Sequence, residues 1–254
     1  MEKIYWYEGW ACVTDENDKQ GGIDMMGTEI IPCQFNIVRP TKDKRIIEVY
    51  DGEGHYGLFD KTGKVVTPCV WEYIGNFSEG LAYVKNQWKK YGFIDKTGKI
   101  VIPCSWTSTS GFSEGLAYVK DKGGKYGYID KTGKVVIPCS WKMTYGFSEG
   151  LATIEDANDQ WGCIDKTGTI VIPCKWKDMG VSFQEGLLAV KNDNGKWGFI
   201  DKTNKTVILF KWKCAFSFED GLAIVQDDND KYGCIDKTGT LVIPCTYKKW
   251  YTHF

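Results

Sequence analysis

Short apolar runs alternate with polar turns along the chain, and the order of these runs returns every 35 or 36 residues. Self-similarity at a fixed period is the signature of a repeat architecture. The clearest part of the unit is a motif of aromatic-Gly-x-Ile-Asp-Lys-Thr-Gly, whose aspartates mark seven copies at Asp24, Asp60, Asp95, Asp130, Asp165, Asp201 and Asp236. We therefore predict one repeat domain over 1–254, with units at about 1–40, 41–75, 76–110, 111–145, 146–180, 181–216 and 217–254.

Each unit has the pattern of three short antiparallel strands. In the third unit these strands are predicted at 81–84, 91–95 and 99–102, where β-branched and aromatic residues are concentrated. The turn Asp95-Lys96-Thr97-Gly98 is typical of a hairpin in which Asp accepts amide hydrogen bonds and Gly adopts a positive φ. Asn204 replaces that glycine in the sixth unit, and Asn tolerates a positive φ well. Proline is expected to end the third strand, because it cannot donate to a ladder.

Both faces of the predicted strands are apolar, which indicates how the units pack. Tyr91 and Phe93 point to one side of a strand, and Ile94 points to the other. A three-stranded unit with two apolar faces must be covered by a neighbour on each side. We predict an all-β tandem array of seven such units, stacked as an open superhelix or solenoid. The alternative is a closed, propeller-like ring of seven blades. The open form is favoured because about 35 residues is short for a four-stranded blade, which takes about 40–45.

The full repeat pattern, F-S-E-G-L-A-x-V followed by K-[WY]-G-[FYC]-I-D-K-T-G-x-x-V-I-P, resembles the WG-repeat or KWG-repeat family of bacterial proteins. The resemblance implies β repeats, often many per protein, without an established general activity. Three places depart from the pattern. Gln20-Gly21 differs in the first repeat, Arg45-Ile46-Ile47 replaces Gly-Leu-Ala in the second, and Leu209 replaces proline in the sixth.

Composition excludes several classes of function. Lys and Arg number 32 against 33 Asp and Glu, so no basic excess supports non-specific nucleic-acid binding. No apolar run is long enough to cross a membrane, and the N-terminus lacks the apolar stretch of a signal peptide. Ten cysteines without a C-x-x-C pair favour free, buried, reduced thiols in a cytoplasmic protein. The protein would be secreted only if a signal had been removed.

The sequence offers little for catalysis. His55 and His253 are the two histidines, and both lie outside the repeated positions. The motif aspartates, and the glutamates Glu79, Glu114, Glu149 and Glu185, are explained by turn formation. We expect no enzyme, no cofactor and no metal site.

The segments between units vary while the rest repeats, and varied edges of repeat scaffolds usually bind. We therefore predict a Trp-rich, monomeric protein-binding scaffold, acting as an inhibitor or adaptor. Its binding candidates are Tyr73, Ile74, Thr107, Thr109, Lys142, Met143, Tyr145, Lys177 and Met179. The turn lysines Lys96, Lys131 and Lys166 are expected to form only a solvated row.

A large aromatic residue precedes each varied segment. This aromatic column, interpreted as core or as a ligand platform, is Phe35, Trp71, Trp106, Trp141, Trp176, Trp212 and Tyr247. The alternative function is carbohydrate binding by a lectin-like repeat protein, which would require several of these rings to be open to solvent.

Overall fold

The computed structural model describes residues 6–249, and every regular element within that range is a β-strand. The strands form seven four-stranded antiparallel sheets, each built from consecutive strands. We name the strands of a sheet a to d in chain order. The all-β tandem array predicted from the repeat period is confirmed.

The four strand positions keep their lengths along the array. Strands a are β1 (Trp6–Tyr7), β5 (Ile37–Pro40), β9 (Tyr73–Ile74), β13 (Ser108–Thr109), β17 (Met143–Thr144), β21 (Asp178–Met179) and β25 (Cys214–Ala215). Strands b are β2 (Trp10–Thr14), β6 (Ile46–Tyr50), β10 (Leu81–Lys85), β14 (Leu116–Lys120), β18 (Leu151–Glu155), β22 (Leu187–Lys191) and β26 (Leu222–Gln226). Strands c are β3 (Gln20–Asp24), β7 (Tyr56–Asp60), β11 (Tyr91–Asp95), β15 (Tyr126–Asp130), β19 (Trp161–Asp165), β23 (Trp197–Asp201) and β27 (Tyr232–Asp236). Strands d are β4 (Glu29–Phe35), β8 (Val65–Trp71), β12 (Ile100–Trp106), β16 (Val135–Trp141), β20 (Ile170–Trp176), β24 (Thr206–Trp212) and β28 (Leu241–Tyr247).

The prediction of three strands per unit is wrong, because each sheet has four. The added strand a lies within the varied segment and pairs with strand b, as Ile74 does with Val84. A unit of 35 residues therefore accommodates four strands, and the length argument for the open form does not hold.

Proline does not end strand d, which was the second error in the strand prediction. β12 runs through Pro103 to Trp106. The carbonyl oxygen of Ile102 faces strand c, since it lies 2.5 Å from where a Cβ on Gly92 would be. In a trans peptide the next amide position points the opposite way, so the proline nitrogen faces outward and no ladder bond is lost.

The apolar cores lie between consecutive sheets, as the two apolar faces of each unit predict. Leu58 of sheet two packs with Val84 and Ile94 of sheet three. Phe199 of sheet six likewise packs with Val225 of sheet seven. These side chains are fully buried, and each such burial stabilises the fold by about 1.5–3 kcal/mol.

The chain divides into two compact units. The first extends to Phe112 and includes Lys131–Lys134, and the second comprises Ser113–Asp130 and the chain from Val135 onward. Neighbouring sheets pack against each other inside each unit, as the cores named above show.

The hairpin between strands c and d has the geometry that its sequence predicts. The Asp95 carboxylate accepts hydrogen bonds from the Thr97 amide at 2.8 Å and the Lys99 amide at 3.1 Å. Gly98 has a φ of 83°, and Asn204, at the same position of sheet six, has a φ of 66°. The positive φ predicted for this position is confirmed.

Replacing Gly98 with alanine should cost about 2–4 kcal/mol of unfolding free energy, measured by urea denaturation. The positive φ strains an L-residue, and the new Cβ would lie 1.9 Å from the Val66 carbonyl oxygen of the preceding repeat. Gly195→Ala is the matched control, because Gly195 has a φ of 74° with nothing within 4 Å of its Cβ position. That control should lose only about 1–2 kcal/mol. Equal losses would show that the approach to Val66 is unimportant.

Each F-S-E-G turn is tied to the next repeat through its side chains. In the fourth repeat, Ser113 Oγ donates to the Phe147 carbonyl oxygen at 2.7 Å. The Glu114 carboxylate accepts the Gly150 amide at 3.1 Å and lies 3.0 Å from Lys166 Nζ. The following two repeats keep the glutamate contacts, with Glu149 on Gly186 and Lys202, and Glu185 on Gly221 and Lys237. We call this set of contacts the repeat latch.

The turn lysines are therefore not a solvated row, and that expectation is wrong. Lys166 pairs with Glu114, and Lys131 lies 2.9 Å from Glu79. Lys96 pairs with Asp43 at 2.6 Å, because the second repeat has no glutamate at this turn. These lysines link one repeat to the next.

Glu185→Gln should reduce the acid sensitivity of the fold. The pKa of the Glu185 carboxyl lies below its ordinary value of 4.5, because it accepts hydrogen bonds from Lys237 and then from the Gly221 amide. Such a group contributes stability above the unfolded pKa, and this is lost as the pH falls through the folded pKa. The variant should therefore be less stable than the parent at pH 7, and the difference should shrink as the pH falls below about 4.5.

The measurement is urea unfolding at a series of pH values, with Glu219→Gln as the control. Glu219 lies in the corresponding turn of the seventh repeat, at the position that serine holds in F-S-E-G. It is exposed and has no ion pair in the described part of the chain. A difference between parent and Glu185→Gln that is constant with pH would contradict the role given to the carboxylate.

Candidate functional site

Each varied segment contains the short strand a, so the alternation of side chains along that strand decides which of them can reach a partner. Ile74, Thr109 and Met179 are at most 8% exposed, because every second residue of strand a faces the core. Tyr73, Lys142 and Lys177 are exposed, while Thr107, Met143 and Tyr145 are half-buried. Three of the nine predicted binding residues are thus core residues in this structure.

Several of the remaining candidates are engaged within their own sheet. The Tyr73 ring stacks on Tyr83 with centroids 5.7 Å apart. The Tyr145 ring stacks on Trp161 at 5.9 Å. Lys142 pairs with Glu155 at 3.1 Å and also with Asp159. These contacts hold strand a and the neighbouring hairpin together, and they leave only part of each side chain for a partner.

The aromatic column is largely core. Phe35, Trp71, Trp176 and Trp212 are between 4% and 9% exposed, and Trp106 and Trp141 are half-buried. Tyr247, in the last sheet, is the exception at 52% exposed. Trp71 Nε1 donates to Thr67 Oγ1 at 3.0 Å. The Nε1 atoms of Trp141, Trp176 and Trp212 are buried without a partner among the residues that the structure describes.

Thr67→Val should destabilise the fold by about 1–3 kcal/mol, because it leaves the Trp71 indole N–H buried without an acceptor. Ile172→Thr is the complementary change, since Ile172 holds the position of Thr67 relative to the unpartnered indole of Trp176. It replaces a buried ethyl group with a hydroxyl that can accept the indole N–H, and because the new hydrogen bond offsets part of the lost packing, its cost should stay below about 2 kcal/mol. Thermal and urea unfolding of the two variants measure these changes in stability. A neutral Thr67→Val would mean that this hydrogen bond contributes nothing.

The first compact unit contains an apolar groove of about 680 Å³. Its walls come from strand d of two adjacent sheets, with Val70 and Trp71 from β8, and Ile100 and Pro103 from β12. Trp88, in the hairpin between β10 and β11, forms its rim. Val70 and Ile100 are each 49% exposed, and Trp88 is 71% exposed. We call this cavity the Trp88 groove.

The indole of Trp88 makes no hydrogen bond that holds its own turn. The turn is held by Asn86 Oδ1, which accepts the amides of Trp88 at 3.1 Å and Lys90 at 3.0 Å. An ion pair of 2.6 Å between Lys89 and Glu72 further fixes the hairpin to the start of strand a. The aligned position in the other repeats is small or polar: Asn17, Glu53, Gly123, Asn158, Asn194 and Asn229. Sequence reasoning missed Trp88, although an indole in a row of polar turns was a visible signal.

His55 and Cys69 also line the Trp88 groove, but the two side chains lack the features of a nucleophilic centre. Burial raises the pKa of the Cys69 thiol to about 11, so the thiol is protonated at neutral pH. His55 Nδ1 lies 3.2 Å from the Asp51 carboxylate of its own turn. The second histidine, His253, lies outside the described residues.

The ten cysteines are all free, but only Cys163 and Cys234 are buried. The other eight are half-buried, so the expectation of fully buried thiols holds for two of them. Partial burial nevertheless raises the thiol pKa of Cys69 and of Cys174 to about 11. Within residues 6–249 no three His, Cys, Asp or Glu side chains are grouped so as to hold a metal ion. The same residues contain no helix that could cross a membrane.

The fold and its repeated motif define a tandem β-repeat protein. The family model of the WG containing repeat matches residues 56–87, 91–126, 126–158, 161–197, 197–232 and 232–251. The chain belongs to this family. No curated protein matches the chain.

Solved structures are similar to this chain at low identity. The computationally designed Ika8 protein is 12% identical, with a TM-score of 0.50 over 94% of this chain and 84% of that one. BamB from Moraxella catarrhalis is 10% identical, with a TM-score of 0.41 over 86% of this chain and 79% of that one. Hsv2p from Kluyveromyces lactis is 11% identical, with a TM-score of 0.46 over 91% of this chain and 90% of that one. At 12% identity the likeness to Ika8 concerns the fold alone.

Proposed function

We propose that the chain is a non-enzymatic protein-binding scaffold, and that the Trp88 groove receives an apolar side chain of its partner. The observation that carries the proposal is Trp88, 71% exposed on a turn that does not need it. Tryptophan is the residue type most enriched among the few side chains that dominate binding energy at protein interfaces. An exposed indole beside an apolar cavity therefore supports an interface more than it supports the fold.

The surroundings of Trp88 match the anatomy of an interface centre. The groove floor is apolar, with Val70, Ile100 and Pro103. Its rim is polar, with Asn86 and Gln87 at the groove and the Lys89–Glu72 ion pair beside it. An apolar centre inside a polar rim is the usual arrangement at specific protein contacts. Since Glu72 directly precedes Tyr73, which is 46% exposed, the exposed part of the varied segment can extend this contact.

Carbohydrate binding has weaker support. A lectin-like array would present several equivalent aromatic faces, whereas Phe35, Trp71, Trp176 and Trp212 are buried. Trp88 is a single indole, without counterparts at the aligned turns. In the carbohydrate-binding alternative, a sugar would stack on Trp88 beside Asn86 and Gln87. The test must distinguish this from binding of a protein side chain in the same groove.

Trp88→Ala should weaken partner binding by about 2 kcal/mol or more, roughly thirtyfold in Kd, without changing the fold. The test is affinity capture from a lysate of the source cell with quantitative mass spectrometry, followed by titration of the captured protein. Met26→Ala is the matched control, because Met26 is also an apolar residue on a hairpin turn and is 90% exposed.

Support requires a protein that binds the parent and Met26→Ala alike and is lost with Trp88→Ala. A partner retained equally by all three would exclude the Trp88 groove as its site. Release of the partner by a simple sugar, with the sugar itself binding the parent, would favour the lectin-like alternative.

A further inference from the structure

Strand d of the sixth sheet, β24, is an edge strand whose exposed side differs from those of the other sheets. Within its sheet it pairs only with β23. Every second residue from 205 to 213 is exposed, in the order Lys205, Val207, Leu209, Lys211 and Lys213. Leu209 is 75% exposed, more than any other apolar side chain of the d strands. The outer side of β24 is therefore apolar at its centre and cationic at both ends.

Leu209 occupies the position that proline holds in the other six repeats. Those residues are Pro32, Pro68, Pro103, Pro138, Pro173 and Pro244, which leaves Pro40 as the one proline elsewhere in the chain. Proline on an edge strand removes the donor that an added strand would need, so it blocks edge-to-edge pairing. The sixth sheet lacks this protection at the centre of its edge.

The amide of Leu209 points away from its own sheet. The Ile208 carbonyl oxygen faces β23, since it lies 2.6 Å from where a Cβ on Gly198 would be. The Ile208–Leu209 peptide is trans, so its N–H points opposite to that carbonyl. The carbonyl of an extended residue lies on the same side as its N–H, so Leu209 presents both a donor and an acceptor outward.

We propose that β24 binds an extended segment of a partner protein by strand addition, with an apolar centre flanked by acidic residues. Main-chain hydrogen bonds to Leu209 would supply the pairing, and side chains opposite Val207 and Leu209 would supply apolar contact. Lys205 and Lys211 select acidic residues on the incoming strand, because opposite charges across a strand pair are favourable. The occupant is thus an acidic, extended peptide.

A second copy of this chain fits the edge poorly. Antiparallel self-pairing centred on Leu209 would place Lys205 opposite Lys213 and Val207 opposite Lys211 on both sides of the centre. Like charges directly opposite each other destabilise a strand pair. Lys213 is partly compensated by its ion pair with Asp230, but Lys205 and Lys211 have no ion pair in the described part of the chain.

This binding edge is independent of the Trp88 groove. β24 belongs to the second compact unit, whereas the groove residues belong to the first. Failure of one proposal leaves the other standing, and Trp88→Ala should not affect the binding of a strand to β24.

The test measures binding of a fluorescein-labelled peptide that alternates glutamate with valine over nine residues, by fluorescence anisotropy with the full chain. The key variant is Leu209→Pro, which restores the residue of the other repeats and so keeps a geometry that six sheets already accept. We expect the peptide to bind the parent, and to bind Leu209→Pro at least about tenfold more weakly. Leu209→Ala keeps the backbone amide, so its affinity for the peptide should fall by less than that of Leu209→Pro. Circular dichroism and thermal unfolding establish that both variants are folded.

Two controls separate strand addition from general attraction to lysines. A peptide with lysine in place of glutamate, and a peptide with a central proline, should both bind the parent at least about tenfold more weakly. Slowed amide hydrogen exchange at Leu209 in the presence of the peptide would place the contact. The proposal is overturned if the parent does not bind the peptide at millimolar concentration, or if Leu209→Pro binds it as the parent does. It is also overturned if the parent dimerises through this edge and Leu209→Pro abolishes the dimer.

Discussion

The whole structure depends on the fact that one sheet of this protein cannot bury its own apolar surface. Strand c of sheet six places Phe199 on one face, against sheet seven, and Ile200 on the other, against sheet five, and both are fully buried. Each face is buried only because a neighbouring sheet covers it. Stability is therefore a property of pairs of sheets, and the sequence must specify how one sheet sits on the next as well as how each sheet folds.

Apolar packing alone tolerates sliding, so the repeat latch supplies directional contacts at the edge of each pair. The glutamate of this turn has a φ of 51–54° in Glu79, Glu114, Glu149 and Glu185, a region that costs an L-residue about 1–2 kcal/mol. Glycine would avoid that strain, but it could not accept the Gly150 amide or pair with Lys166 as Glu114 does. The side chain is retained at a strained position because it joins two repeats. In the first repeat Glu8 adopts the same conformation, with a φ of 48°.

The sequence was sufficient to predict contacts within one repeat. It did not predict contacts between residues of different repeats. The hairpin at Asp95 was predictable because its donors and acceptors are within four residues of each other. The role of Lys166 was not, since its partner Glu114 lies 52 residues earlier. Strand a was missed because two residues such as Tyr73–Ile74 carry no periodic signal of their own. Three of the nine candidate binding residues proved to be core residues for the same reason. A residue predicted to lie in a loop can be exposed, whereas Ile74 in a strand points into the core.

The same comparison explains where function can be placed on such an array. Positions that recur in every repeat are constrained by packing or by the repeat latch, so a partner cannot select them without disturbing the fold. Trp88 and Leu209 are different. In the other repeats the fold accepts asparagine, glycine or glutamate at the position of Trp88, and proline at the position of Leu209. Each keeps a large exposed apolar side chain where the fold does not require one, and exposed apolar patches are typical of interaction sites. Departures of this kind are the physical basis for proposing a binding role, because the array itself supplies the comparison at each aligned position.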